Sequence, residues 1–175
     1  MKRLVLWVPL TIFLVFIVTV AFGLYSPSDR KIHSRLVGKP IPGFALPAAL
    51  PQKPGLKPAD FTGGEPRMLN VFASWCGPCI AEAPQLLELA RRGIPIDAVA
   101  IRDRSEDVAN FLNRWGDPYQ RIGSDVNSRV QLALGSSGVP ETFVIDGKGV
   151  IRYQHIGDIR PENVPEIIRA YEAAK

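Results

Sequence analysis

Read as apolar and polar positions, this chain of 175 residues opens on an unbroken apolar run and then settles into short periodic segments. Residues 4–25, LVLWVPLTIFLVFIVTVAFGLY, hold 22 positions without a charge. As a helix this run measures about 33 Å, enough to cross a bilayer core of about 30 Å. Ala21 and Gly23 have the spacing of a signal-peptidase site. The run nevertheless exceeds the roughly 7–15 apolar residues of an ordinary secretion signal, so an uncleaved anchor over 1–25 is expected.

Residues 26–38 are polar and irregular and read as a juxtamembrane linker, leaving 39–175 for one folded domain. PIPGFALPAALPQKPGLKPADF carries six prolines in 22 residues, which excludes a long helix and allows short edge strands near 44–46 and 56. RMLNVFASW predicts a buried strand over 68–73. In PCIAEAPQLLELARR, Ile80, Ala83, Leu87 and Ala90 recur at helical spacing, with Pro84 predicting a kink.

A second strand is expected at 96–101. SEDVANFLNRWG then starts on a serine and two acids, a capping pattern, and stops at Gly116. A short strand at 119–122 and a short helix from Asp125 to near Gly135 follow. ETFVIDGKGVIRYQHIG reads as a hairpin, with strands at 142–145 and 150–156 around Asp146-Gly147. PENVPEIIRAYEAAK closes as an amphipathic helix with Val164, Ile167, Ile168 and Tyr171 inward. Strands alternating with helices, then a hairpin and a last helix, imply a three-layer α/β/α sandwich on a mixed sheet.

Charge changes this picture little. Of the net +4, Lys2 and Arg3 supply two charges, and no basic block interleaves with aromatics, so nucleic acid is not an expected partner. Lys2 and Arg3 touch the apolar run and argue for a cytoplasmic N-terminus. Arg30, Lys31, Arg35 and Lys39 on the other flank oppose that reading, and DRKIHSRLVGKP is expected to solvate a tether. Following the charges next to the run places the main domain outside the cytoplasm.

The chain has two cysteines, Cys76 and Cys79, where a buried strand gives way to a helix. A helix N-terminus presents unpaired N–H groups and a positive dipole end, so a thiolate at Cys76 is stabilised there. Cys79, one turn on, can attack a mixed disulfide formed on Cys76. A structural cross-link closing two residues gains almost nothing. A zinc site needs four ligands, and the histidines are His33 in the linker and His155 in the hairpin, a surface histidine in this reading. A reversible dithiol–disulfide couple, with no further cofactor, is the remaining reading.

WCGPC after a buried strand, Pro84, and Val139-Pro140 before a hairpin strand resemble the thioredoxin superfamily. That resemblance implies a cis Pro140 beside the disulfide and a Val139 backbone that pairs with an extended substrate. Gly77 and Pro78 then set the bite of the couple, and Trp75 either packs over the disulfide as part of the substrate surface or is a plain core tryptophan. More closely, the apolar anchor, GKPIPGFALP, LNVFASWC, Glu82 and GVPETFVIDGKGVIRYQHIGD resemble the CcmG/DsbE group, over about 37–160. The resemblance implies a membrane-anchored reductase of cytochrome c maturation. Its partners would be apocytochrome c or a thiol protein of the haem-ligation pathway, with electrons from a membrane thiol-reductant transporter.

Asn70 stands six residues before Cys76, where thioredoxin has a buried proton-handling aspartate. Another group must take the proton of Cys79. Glu82, three residues after it, is the first candidate and Glu141, next to Pro140, the second; the plain alternatives are an exposed helix acid and an ordinary strand-end residue. Two carboxylates near the pair oppose thiolate formation, which suits a reductant. Two other functions fit the same residues. One is a TlpA-like reductant for copper-site assembly in an oxidase, and the other is a non-enzymatic tethered module that binds apocytochrome.

Overall fold

The computed structural model describes residues 2–25 and 35–175, so most of the linker expected at 26–38 lies outside the described residues. The chain divides into two units, 1–31 and 32–175.

The first unit holds one helix, α1 (Lys2–Tyr25), which continues through Pro9. Its hydroxyls are satisfied within the helix: Thr11 Oγ1 donates to the Trp7 carbonyl at 3.0 Å and Thr19 Oγ1 to the Val15 carbonyl at 2.7 Å. Among the described residues, no helix is long and apolar enough to cross a membrane.

The second unit is built on β1 (Arg67–Phe72), β2 (Ile96–Ile101), β3 (Ile122–Asp125), β4 (Glu141–Ile145) and β5 (Ile151–Ile156). They form one sheet in the order β3-β2-β1-β4-β5. β1 runs parallel to β2, and β2 to β3, while β1–β4 and β4–β5 are antiparallel, which is the expected mixed sheet. β2 is buried along its whole length and β1 almost so. This explains their continuous apolar character, since a strand covered on both faces has no reason to alternate. The one charge in β2, Asp97, is buried against Arg67, which reaches it twice, at 2.6 and 2.9 Å.

Among the described residues, four α-helices and a short 3-10 turn (Pro58–Phe61) complete the unit, the helices being α2 (Gly77–Arg91), α3 (Ser105–Trp115), α4 (Arg129–Ala133) and α5 (Val164–Ala173). Phe72 of β1 packs on Phe111 of α3, and Asn70, on the same side of that strand, meets α2. Helices α2 and α3 therefore cover one face of β1. The proline-rich entry is held by isolated bridges, Leu46 with Leu56 and Ala48 with Gly123.

Several expected boundaries move, each for a local reason. The buried face of α2 is Cys79, Glu82, Ala83, Leu86 and Leu89, while Ile80, Leu87 and Ala90 are only half-buried. The apolar spacing is thus displaced because a carboxylate occupies the inner face. Ser105 lies inside α3 rather than capping it; Arg104 is the cap position and pairs with Asp107 at 2.7 Å. β3 starts at Ile122 rather than 119, because the Tyr119 N–H donates to Asp117 Oδ1 in a local turn and the ring goes into the core. α4 starts at Arg129, and Asp125 takes the N–H groups of Arg129, Val130 and Gln131, all at 2.9 Å. The β4–β5 connection spans 146–150, since Asp146 Oδ1 accepts from Lys148 and Val150. In α5, Val164, Ile167 and Tyr171 are buried, and Ile168 is half-buried.

Candidate active site

β1 delivers the chain to the redox loop at the edge of the core. Beyond Phe72 the backbone turns, and Ser74 is clamped by Asp103 at the exit of β2. The Asp103 carboxylate accepts the Ser74 N–H at 2.7 Å and the Ser74 hydroxyl at 2.6 Å. Cys76 then caps α2, with its Sγ accepting the Cys79 N–H at 3.2 Å. This is the interaction that favours sulfur as an anion, because the first-turn N–H groups have no partner inside the helix. Pro78 falls in the first turn, where its missing N–H costs nothing. Gly77 faces open space.

Cys76 and Cys79 form a disulfide with Cα atoms 5.3 Å apart, and both are buried. Trp75 is 59% exposed, which overturns its reading as a plain core tryptophan. It stands in solvent at the shoulder of the disulfide.

Sheet register brings a second element to the loop. Val71 pairs with Glu141 and Asn70 with Thr142. Continuing that antiparallel register sets Val139 and Pro140 opposite the residues that lead into the cysteines. The Val139–Pro140 bond is cis. The Pro140 carbonyl accepts from Gly157 N–H at 3.0 Å, and Val139 is half-buried.

Below the disulfide lies a buried polar cluster. Glu82 has no exposed surface, so it is not an exposed helix acid. Its Oε1 accepts from Asn70 Nδ2 at 2.9 Å and its Oε2 from the Ile159 N–H at 3.0 Å. Asn70 Nδ2 also donates to Thr142 Oγ1 at 3.0 Å, and Asn70 Oδ1 accepts from the Tyr119 hydroxyl at 2.8 Å. Burial pushes the Glu82 carboxyl up to about 7, with the nearby Asp158 charge adding and the Ile159 and Asn70 donors opposing. Burial also drives Tyr119 well above its ordinary value, with the charges of Glu82 and Asp117 adding.

Glu141 sits apart from this cluster. Thr142 shares the Asn70–Glu82 side of the sheet, so Glu141, its neighbour in β4, faces the opposite side. It is buried, and both its oxygens are taken. Oε1 accepts from the Ser137 N–H at 2.9 Å and hydroxyl at 2.7 Å, and Oε2 accepts from Gln154 Nε2 at 3.1 Å. Its task in this arrangement is to tie the loop before Pro140 to β5. His155 is half-buried, with Nε2 at 3.2 Å from the Asp158 carbonyl.

Tyr119, Thr142, Asp103 and the Ile159 N–H are site components that the sequence reading does not contain. The first three come from separate strands and turns, and a backbone N–H has no residue signature. Only the aromatic Tyr119 after Asp117-Pro118 offers a signal, and it reads equally well as the start of a strand.

A sulfur pair at a helix N-terminus, with a cis-proline segment opposite and a protonatable carboxyl one turn below, can open and close a disulfide while moving a proton. The class so defined is that of thiol–disulfide oxidoreductases. Residues 36–170 match the Redoxin family model. The chain is 38% identical over 172 residues to the thiol:disulfide interchange protein DsbE of Vibrio cholerae, covering 96% of this chain and 93% of the relative. It is also 38% identical over 175 residues to the DsbE of Escherichia coli K12, covering 97% and 94%. Among solved structures, one described as a thiol:disulfide interchange protein DsbE from Chlorobium tepidum aligns with a TM-score of 0.66 and 28% identity, over 79% of this chain and 96% of that one. The chain belongs to the Redoxin family and, within it, to the DsbE group of thiol:disulfide interchange proteins. Its reaction is dithiol–disulfide exchange at Cys76 and Cys79.

Proposed function

We propose that this oxidoreductase works as a reductant in cytochrome c maturation, tethered by α1 to the inner membrane with its redox domain in the periplasm. In the reduced protein the Cys76 thiolate attacks a partner disulfide, forms a mixed disulfide and releases one partner thiolate. Cys79 gives its proton to Glu82 and attacks Cys76 Sγ. The Cys76–Cys79 bond forms, and the second partner sulfur leaves as a thiolate that takes up a proton. Two electrons pass from the protein to the partner.

The observation that carries this reading is Glu82, wholly buried on the inner face of α2, one turn from Cys79, and held near 7. A group titrating near ambient pH is suited to take a proton and return it. Its charge also disfavours a thiolate next to it, so the closed disulfide is favoured over the open dithiol. Trp75 in solvent and half-buried Val139, opposite the residues that lead into the cysteines, offer an extended substrate an apolar surface. For α1, the support is an apolar helix whose described large side chains, from Trp7 to Phe22, are exposed and whose threonines are bonded internally. The resemblance of GVPETF and its surroundings to the CcmG/DsbE group supplies the pathway, with apocytochrome c or a haem-ligation thiol protein as partner and a membrane thiol transporter as electron source.

The test is a Cys79→Ser full chain expressed in its own cell envelope, with membranes washed in alkaline carbonate. The expected result is a covalent adduct on Cys76 that stays with the membranes and contains apocytochrome c or a thiol protein of haem ligation. An adduct with a copper-assembly protein, or one released by the wash, contradicts the reading.

A further inference from the structure

The Glu82 carboxylate owes one of its two hydrogen bonds to an amide that can turn over. Exchanging the oxygen and nitrogen of Asn70 changes its shape very little, but it reverses what the residue offers to Glu82. Asn70 Nδ2 carries two protons and spends both, on Glu82 Oε1 and Thr142 Oγ1. Turned over, Oδ1 would face Glu82, an arrangement compatible only with a protonated carboxyl. Thr142 does not decide between the two states, because its hydroxyl can donate to the turned-over oxygen as readily as it accepts from Nδ2. Neither does Ile159, whose N–H bonds the other carboxylate oxygen. Turning the amide over does, however, take from the buried Tyr119 hydroxyl the acceptor it has among the described residues.

The remaining contact of the amide is Tyr119. Its hydroxyl donates to Asn70 Oδ1 at 2.8 Å. The tyrosine is itself held on three sides. Its ring stacks on Phe72 with centroids 5.1 Å apart, its N–H bonds Asp117 at 3.1 Å, and its carbonyl receives the Lys53 ammonium. Lys53 also pairs with Asp117 at 2.6 Å, so the proline-rich entry segment fixes this turn against the core.

We propose that Tyr119 and Asn70 are positioning residues for proton transfer at Glu82, the Tyr119 hydroxyl locking the Asn70 amide so that Nδ2–H points at the carboxylate. The proposal rests on the reading of Glu82 as the acceptor of the Cys79 proton. When Cys79 resolves a mixed disulfide, its proton moves to Glu82 and its sulfur bonds to Cys76 Sγ. The partner thiolate leaves and takes its own proton from solvent. The lock keeps Glu82 in the state that accepts that proton.

The other groups facing Glu82 do not substitute for this lock. Cys79 shares its helix, and Asp158, in the loop after β5, opposes its charge, with its own carboxylate paired to Arg160 at 3.1 Å. Tyr119 stays protonated through the neutral range. Among the described residues no cation pairs with Glu82.

The test uses the full chain carrying a Cys76–glutathione mixed disulfide and follows glutathione release by Cys79 between pH 5 and 9. Tyr119→Phe keeps the ring and removes the lock. Its midpoint should rise by about half to one pH unit, with the alkaline plateau kept. In a Glu82→Gln background the same substitution should move nothing further. A lowered plateau with an unmoved midpoint marks a merely structural tyrosine and overturns the proposal. So does an unmoved midpoint when Glu82→Gln alone abolishes the pH step, and in that case Glu82 keeps its role. A pH step that survives Glu82→Gln removes the proton-acceptor reading and the proposal with it. A measurement on the unmodified chain stands independently of the variant's folding. The Asn70 side-chain amide resonances should shift with pH at the midpoint of glutathione release, and resonances that stay still overturn the lock.

Discussion

A carboxylic acid buried in the core at Glu82 links the chemistry of single residues to stability. Its carboxyl rises from 4.5 to about 7 on folding, so between those values the native state holds a proton that the unfolded chain has lost. Stability from this group is therefore complete below pH 4.5 and falls as pH rises to about 7, by about 3 kcal/mol. Denaturant titrations of the oxidised full chain should show that decline, and Glu82→Gln should flatten it. An equal slope in both proteins would mean that the carboxyl is not buried as described. The cysteine pair and Glu82 were legible in the sequence because spacing and helical phase are local properties. Asn70 was legible only as a departure from thioredoxin. Tyr119 and Thr142 were not, since they reach the Asn70 amide from segments 49 and 72 positions away in the chain.

Elements are placed by close backbone approaches as much as by apolar pattern. Gly147, in the β4–β5 connection, faces the carbonyl of Gly64, and a Cβ there would lie 1.9 Å from that oxygen. Gly147→Ala must push two backbone segments apart, which should cost about 1–3 kcal/mol in the denaturation midpoint. Gly77→Ala, where a Cβ meets nothing within 4 Å, should leave that midpoint almost unchanged. Equal losses at both positions would contradict these packing arrangements. Strands β1, β2, β4 and β5 were readable within a residue or two, because their apolar runs reflect burial directly. The starts of β3 and α4 were not, because side chains set them: Asp117 holds Tyr119 in a turn and Asp125 collects three N–H groups ahead of α4. The displaced inner face of α2 has the same origin, a buried acid, Glu82, in line with Cys79, Leu86 and Leu89.

On the scale of the whole molecule, one sheet serves both halves of the site. β1 carries the cysteines to the N-terminus of α2, and β4, its antiparallel neighbour, carries the cis Val139–Pro140 segment back to the same edge. Exchange chemistry follows from that meeting: one sulfur sits where the helix N–H groups favour an anion, and the other lies deeper, one turn from the buried Glu82 carboxyl. The mixed α/β architecture was legible from the order of elements, whereas the pairing of distant segments at the disulfide depends on register, which no single segment encodes. The roles of the two sulfurs are tested most directly by mixing the reduced full chain with a peptide that carries one intramolecular disulfide, quenching in acid at early times, and mapping the adduct by mass. The account predicts a transient adduct on Cys76 in the unmodified chain, a persistent one on Cys76 in Cys79→Ser, and none in Cys76→Ser. An adduct forming on Cys79 of Cys76→Ser as fast as in the unmodified chain would contradict it.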